Sequence, residues 1–307
     1  MSAIGPAYPF SWPGGARVCM LPSLVFELWT EGTTPGANMP GGFISSNMKL
    51  KVRDLRVEKM IEFGGKVGMW RLLEVLDREQ APCSVLTTGR SVEVYQDVIR
   101  EYHKRGHEIA AHGWAEDVRS YEFDDPQEER ENIRRTADAI ERVTGQRPTG
   151  WLSPRATPST NTLRLLVEEG FTWCGDFPDD ELPYVVEMNG RPIAILPYSG
   201  QAVNDYQVAL IQGNSPGVYV EEFSKTLDFL YEEHQLTGRP GLIRASVHAH
   251  VYGRSWGRWA FRDTIRYARR FSDVWITTRA KLAEHVLRQY ASQRAKGATT
   301  TGTRGRM

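Results

Sequence analysis

From Arg17 to about Tyr290 the chain alternates short apolar runs with longer stretches whose apolar residues return every three or four positions. The first pattern marks buried strands and the second amphipathic helices. "RVCMLPSLVFE" opens the series as a strand and runs directly into charge at Glu27 and Glu31. A Gly/Pro-rich excursion, Gly32 to Gly42, then fits neither element. "MWRLLEVLDRE" from Met69 has helical spacing, with Trp70, Leu73 and Leu76 on one face and Asp77 turned outward, and "CSVLTT" from Cys83 is a strand. "VYQDVIREYHKRG" from Val94 is a helix with Gly106 beyond its end, and "EIAAH" from Glu108 is a strand ending in His112. The spacing from Asp125 to Gly145 predicts a long helix with Asp125 as N-cap, Pro126 in the first turn and Gly145 as stop.

The same alternation continues to the C-terminus. "PTGWLSP" is a short strand, "STNTLRLLVEEG" a helix capped by Ser159 or Thr160, and "FTWCGD" a strand. A long helix from Gly217 leads to the strand "GLIRASVHAH" from Gly241, which again ends in histidine. "WAFRDTIRYARRF", "DVWITT" and "RAKLAEHVLRQY" close the series as helix, strand and helix. Repeated strand–helix alternation implies an α/β fold with a parallel sheet and crossover helices. About seven such units in ~270 residues suit one closed or nearly closed (β/α) barrel rather than two domains. The expected division is an N-terminal arm over 1–16, a barrel over 17–291 and a disordered, Gly/Thr-rich tail over 292–307.

Composition narrows the partners. The 307 residues carry 38 Lys+Arg and 38 Asp+Glu, so the formal net charge is zero, and no basic run is long enough to track phosphates. Nucleic acid is not expected as a partner on that ground. Cys19, Cys83 and Cys174 are scattered and odd in number, which fits a reducing compartment and small buried hydrophobes rather than disulfides or structural zinc. The N-terminus lacks a signal-peptide pattern and no stretch spans a bilayer, so a cytoplasmic protein with no membrane contact is expected.

The polar residues at strand ends carry the candidate chemistry. Glu27, His112, Arg155, Asp176 and the His248–Ala249–His250 triplet each follow an apolar run, and in a barrel the C-terminal strand ends face one bowl. His112 and Glu116, at i and i+4 around Gly113, suit a divalent metal or an acid/base couple, although an isolated pair of this kind is more often structural. His248 and His250 fall on one face of an extended strand. Arg155 sits between two prolines, where a stiff backbone could aim it at a carboxylate or an oxyanion; a surface ion pair is the plainer alternative. Of the acidic loop from Asp176 to Glu181 only Asp176 lies at a strand end. "NDYQ", Asn204 to Gln207, offers polar groups for substrate or a helix cap. Nine tryptophans are a heavy load. Trp29, Trp114, Trp256 and Trp259 adjoin rim motifs, whereas Trp70, Trp173 and Trp275 are expected in the core.

Taken in order, "WPGGAR", "VFELWTEG", "VGMWRLLEVLD", "GHEIAAHGW", "GWLSPRATPSTNTLRLLVEEGF", "DDELPY", "SVHAHVYGR" and "DVWITTRAKLAEHVL" resemble the polysaccharide deacetylase family, and most of all its allantoinase-like, small-amide hydrolase branch. The resemblance runs from Trp12 to Leu287 and implies a distorted (β/α)7 barrel that hydrolyses amide bonds. It implies that Glu27 occupies the position of the family's base and Trp29 that of a metal-binding Asp. His112 is placed on the first ligand histidine, Glu116 on the second, Arg155 on the motif arginine and His248 on the histidine acid.

With two usual ligands replaced, three outcomes stay open. Glu27 or Glu31 with His112 and Glu116 could hold a divalent metal (zinc, manganese or magnesium). A metal-free site, the favoured outcome, would use Glu27 as base, His112 and Arg155 for the oxyanion and His248 as acid. The third outcome is a barrel that binds without catalysis. The expected substrate is a small, cyclic amide, imide or ureide, with an N-acetylated saccharide as the alternative. Trp29, Glu31, Trp114, Asp176, Asn204, Asp205 and His250 are the expected substrate contacts. A homo-oligomer is expected, with the N-terminal arm and the Gly32–Gly42 loop as candidates for exchange between subunits.

Overall fold

The computed structural model describes residues 8–31, 55–198 and 203–302, the last helix with its side chains to 296. Nine strands alternate with nine α-helices among these residues. The strands are β1 (Val18–Phe26), β2 (Ser84–Thr87), β3 (Glu108–Ala111), β4 (Gly150–Trp151), β5 (Trp173–Cys174), β6 (Tyr184–Met188), β7 (Arg191–Ile195), β8 (Gly241–His248) and β9 (Val274–Ile276). Pairing runs β6-β7-β5-β4-β3-β2-β1-β8, and β9 joins the first residues of β1 beside the segment that pairs with β2. All pairs are parallel except the β6–β7 hairpin. β1 to β5, β7 and β8 thus form a seven-stranded parallel wall. The chain beyond β7 meets β8 through the parallel bridge Asn204↔Ser246, which brings the two sides of the wall together. This is the distorted (β/α)7 barrel expected from the sequence.

Side-chain parity along the strands separates the two cores. Val18, Met20, Leu24 and Phe26 of β1 pack outward in the main cluster with the helices, while Cys19, Leu21 and Val25 fill the barrel interior. β8 divides the same way, with Ile243, Ala245 and Val247 outward and Leu242 inward. The next inward position after Val25 is Glu27, and after Leu242 the inward positions are Arg244, Ser246 and His248. On β3, Ala110 is inward, so His112 is too. The period of two therefore turns the polar strand-end residues into one mouth.

The helices are α1 (Leu55–Phe63), α2 (Met69–Arg78), α3 (Gly89–Val94), α4 (Gln96–Lys104), α5 (Pro126–Thr144), α6 (Thr162–Glu168), α7 (Pro216–Thr237), α8 (Ser255–Ala268) and α9 (Arg279–Gly302). α5 begins and ends where its caps predict: Asp125 accepts from Gln127 N at 2.9 Å, and Gly145 takes the left-handed φ of 76°. α6 starts at Thr162 with its N-cap at Asn161. Ser159 supplies the acceptor expected of it from two positions further back, through Oγ to the N–H groups of Asn161 and Thr162. The β6–β7 hairpin, turned by Asn189 and Gly190, is an element the strand–helix alternation did not show.

Other expectations need correction. α9 continues past Ser292 to Gly302, where a disordered tail was expected, because "YASQRAKGA" is rich in good helix formers that extend an existing helix at little cost. The described part of the N-terminal arm packs on the barrel. Phe10 and Trp12 are buried, and Trp12 Nε1 donates to Gly241 O at 2.7 Å. The Gly32–Gly42 excursion lies outside the described residues. All three cysteines are free and buried, as small hydrophobes should be. Among the described residues no helix is long and apolar enough to cross a membrane.

Candidate active site

Glu27, Trp29, His112, Glu116, Arg155, Asn204 and His248 line one cavity of about 310 Å³ at the barrel mouth. The exits of β1 and β2 supply the struts that hold its walls. Thr88 Oγ1 accepts from Leu28 N at 3.1 Å, Thr87 O accepts from His112 N at 2.9 Å, and Leu28 O accepts from Glu116 N at 3.0 Å. Gly113 makes the turn between His112 and Glu116 at φ 68°, and a Cβ there would lie 2.7 Å from Pro154 Cγ. Arg155 itself has φ 57° and Ala156 φ 53°, two successive left-handed non-glycine residues. That strain sits at the turn that aims the guanidinium.

Glu27, His112 and Glu116 form a buried trio whose facing atoms all lie within 4.8 Å of one another. His112 Nδ1 is 2.7 Å from Leu152 O. A carbonyl only accepts, so Nδ1 carries the proton and Nε2 faces the carboxylates, 3.8 Å from Glu27 and 3.4 Å from Glu116. Burial, and then the charge of Glu116 and a hydrogen bond to it, push the Glu27 carboxyl well above the usual carboxylate range. Arg155 Nε approaches Glu116 Oε1 at 3.6 Å and pulls the other way. Glu116 Oε2 is buried without a hydrogen-bond partner. Two carboxylate oxygens and an imidazole lone pair converging in this way call for a positive centre between them, a shared proton or a divalent cation. The donor set fits such a cation, with its two carboxylates favouring magnesium or manganese and its imidazole also admitting zinc.

His248 closes the opposite wall. Its Nδ1 lies 2.7 Å from Asp205 Oδ1, and Asp205 also accepts from the backbone N–H groups of His248 and Tyr252. Asp205 thus fixes the ring so that Nε2 is the nitrogen left for the cavity. Tyr206 packs against the ring, with centroids 5.4 Å apart.

Several expected substrate contacts lie elsewhere. Asp205 is fully buried behind His248 and holds that ring instead of touching the cavity. Asp176 is buried and accepts from Ser153 N at 2.6 Å and Ser153 Oγ at 2.7 Å, so it braces the β4 exit from which Arg155 projects. Burial raises its carboxyl to about 6. His250 is not on an extended strand, since β8 stops at His248. Its ring is buried beside Trp29 and His248, and burial lowers it to about 3. Trp114 faces away from the bowl, packed on Gly89 and beneath the Arg135 guanidinium, 3.4 Å from its ring centroid. Glu31 is exposed and pairs with Arg90 at 3.4 Å, so the metal candidate with Glu31 in place of Glu27 is not the one assembled.

Asn204 does line the cavity, with its amide engaged by Tyr198 OH and Tyr206 N. Trp256 and Trp259 are exposed on α8, and Trp70, expected in the core, is exposed on α2. The aromatic lining is Trp29 with Tyr198 and Tyr206. Tyr198, a residue the sequence reading missed, lies three positions past β7 at the inward parity of Ala194 and Leu196.

A sequence profile described as polysaccharide deacetylase matches residues 61–174. A Schizosaccharomyces pombe protein named as a polysaccharide deacetylase is 26% identical over 292 residues, 88% of this chain and 86% of its own length. Among solved structures, a polysaccharide deacetylase from Pseudomonas aeruginosa superposes with a TM-score of 0.81 at 29% identity, covering 92% of this chain and 95% of that one. The Puue allantoinase superposes with a TM-score of 0.79, also at 29% identity, covering 92% and 93%.

Proposed function

Because this chain belongs to the polysaccharide deacetylase family of carbon–nitrogen hydrolases, we propose that it opens a C–N bond in a small cyclic amide, imide or ureide. One observation carries the reading. A carboxylate with raised basicity, Glu27, and an imidazole locked by Asp205, His248, face the same cavity of about 310 Å³. That space suits a small planar ring better than a hydrated glycan chain, and the likeness to an allantoinase supports a ureide.

In the reaction proposed, Glu27 takes a proton from water, and the resulting hydroxide attacks the carbonyl carbon. Arg155, whose side chain is half exposed at the mouth, meets the charge that develops on the carbonyl oxygen. His112 faces Glu27 and Glu116, so its part is to orient those carboxylates, in place of the oxyanion contact expected from the sequence. His248 acts as the imidazolium: with its Nδ1–H held by Asp205, it gives its second proton, on Nε2, to the leaving nitrogen as the C–N bond breaks, yielding a carboxyl group and a free N–H. Trp29, Tyr198 and Tyr206 flank the ring and exclude water.

Glu27, His112 and Glu116 would hold a divalent cation, which when bound supplies Lewis-acid polarisation of the carbonyl oxygen. We favour turnover without it, because a Glu27 carboxylate that ligates a dication gives up the raised basicity that suits it as base. The donor set is also the observation that favours a second reading, metal-dependent removal of an N-acetyl group from a saccharide.

Activity on a panel of hydantoins, dihydropyrimidines, cyclic imides, ureides and N-acetylated sugars, before and after exhaustive chelation, separates the two. Ring opening that survives chelation is expected. Turnover confined to N-acetyl sugars and restored by stoichiometric zinc would replace the proposal with the second reading.

A further inference from the structure

Trp29 stands between two cavities. It lines the catalytic cavity of about 310 Å³ and also a neighbouring one of about 410 Å³ on the α1 side of the mouth. Among the described residues that line them, Trp29 is the one common to both. The indole is 8% exposed and meets the His250 ring edge to face, with centroids 6.3 Å apart and planes at 81°. His250 is held from behind by Gly64, in the π-helical turn Gly64–Gly68 that joins α1 to α2; a Cβ on Gly64 would lie 3.2 Å from His250 N.

The backbone on either side of Trp29 is tied down as well. Leu28 N donates to Thr88 Oγ1 at 3.1 Å, Leu28 O accepts from Glu116 N at 3.0 Å, and Thr30 N donates to Asp117 Oδ1 at 2.7 Å. The indole is therefore fixed relative to Glu27, two residues earlier. The second cavity suits an apolar group. Leu28, Ile61, Val94 and the Tyr95 ring give it an apolar side, and its charges neutralise one another. Glu31 pairs with Arg90, Glu62 pairs with both Lys59 and Lys66, and Glu58 is engaged too.

We propose that Trp29 is the specificity-determining wall of the active site: by keeping the second cavity out of reach, it confines the substrate to a ring with no bulky substituent on that side. The size limit presumes the small-ring substrate of the proposed reaction, whereas the wall between the cavities does not depend on it. Shortening the side chain at this position joins the two spaces. An aryl substituent can then enter among Leu28, Ile61 and Tyr95 while the ring stays between Glu27 and His248.

The test compares hydantoin with 5-benzylhydantoin, in calorimetric binding and in turnover, for wild type and Trp29→Ala. Wild type should favour the unsubstituted ring, and Trp29→Ala should move the ratio of the two kcat/KM values about 10²-fold toward the benzyl compound. Val94 lines the second cavity and is 53% exposed, so it tolerates enlargement. Adding Val94→Trp to Trp29→Ala refills that space and should abolish the gain. An unchanged ratio in Trp29→Ala, or a gain that survives Val94→Trp, overturns the proposal. A wild type that opens neither ring counts against the proposed function instead, and a crystal structure of Trp29→Ala then decides about the wall: one continuous cavity supports it, and two separate cavities refute it. If Trp29→Ala does not fold, Trp29→Leu takes its place in each arm.

Discussion

Replacing Glu116 by Gln removes the like charge that helps to raise Glu27. Glu27 must be ionised to act as base, so activity rises with pH through its raised value, and in Glu116→Gln that acidic limb should move to lower pH. A pH profile of kcat/KM measures it, and a limb that stays put removes Glu27 from the role of base. Asp205→Asn, which no longer fixes the His248 tautomer, should lower kcat about 10²–10⁴-fold with KM little changed. Steady-state kinetics with the preferred ring substrate provide the check. Glu27, His112, Arg155 and His248 were legible because each is an ionisable residue ending an apolar run. The role of Asp205 was not, since nothing in "NDYQ" shows that its second residue lies beneath a histidine 43 positions later.

Turns and caps decide how well the elements aim these groups. Gly113→Ala meets both a φ of 68° and the Pro154 ring at 2.7 Å, so a loss of about 2–4 kcal/mol in chemical denaturation is expected. Activity should fall with it, because His112 and Glu116 flank the turn. Asp125→Ala, which removes the N-cap of α5, should cost about 1 kcal/mol and leave kcat unchanged, since that helix packs on the outside of the barrel. Helices as long as α5 were readable because their apolar stripe and caps agree. β4 and β5 were readable as strands but not in length, since each keeps only two ladder residues before the chain turns into the rim. The β6–β7 hairpin was hidden because it breaks the strand–helix alternation: β6 is only partly buried, and the turn at Asn189 and Gly190 leads straight into the buried run of β7 with no helix between them.

At the scale of the whole molecule, buried acids shape the response to pH. Asp176 is raised from 3.8 to about 6, so the folded state holds its proton more tightly than the unfolded chain. Its contribution is present at low pH and is lost as pH rises through about 6, on the order of 2–3 kcal/mol. In Asp176→Asn the fall in stability between pH 4 and pH 7 should be shallower than in wild type, as thermal melts across that range would show. Buried Glu27 acts in the same direction.

The linear chain determined the alternation of elements, the parallel sheet and the ionisable residues at the strand ends, because period and residue type are local properties. Tertiary structure decided which of those residues meet. The strands are apolar on both faces, so the sequence does not say which parity points inward; closure of the barrel placed Glu27, His112 and His248 inside, turned Trp114 outward, and sank Asp176 and Asp205 behind the residues they brace.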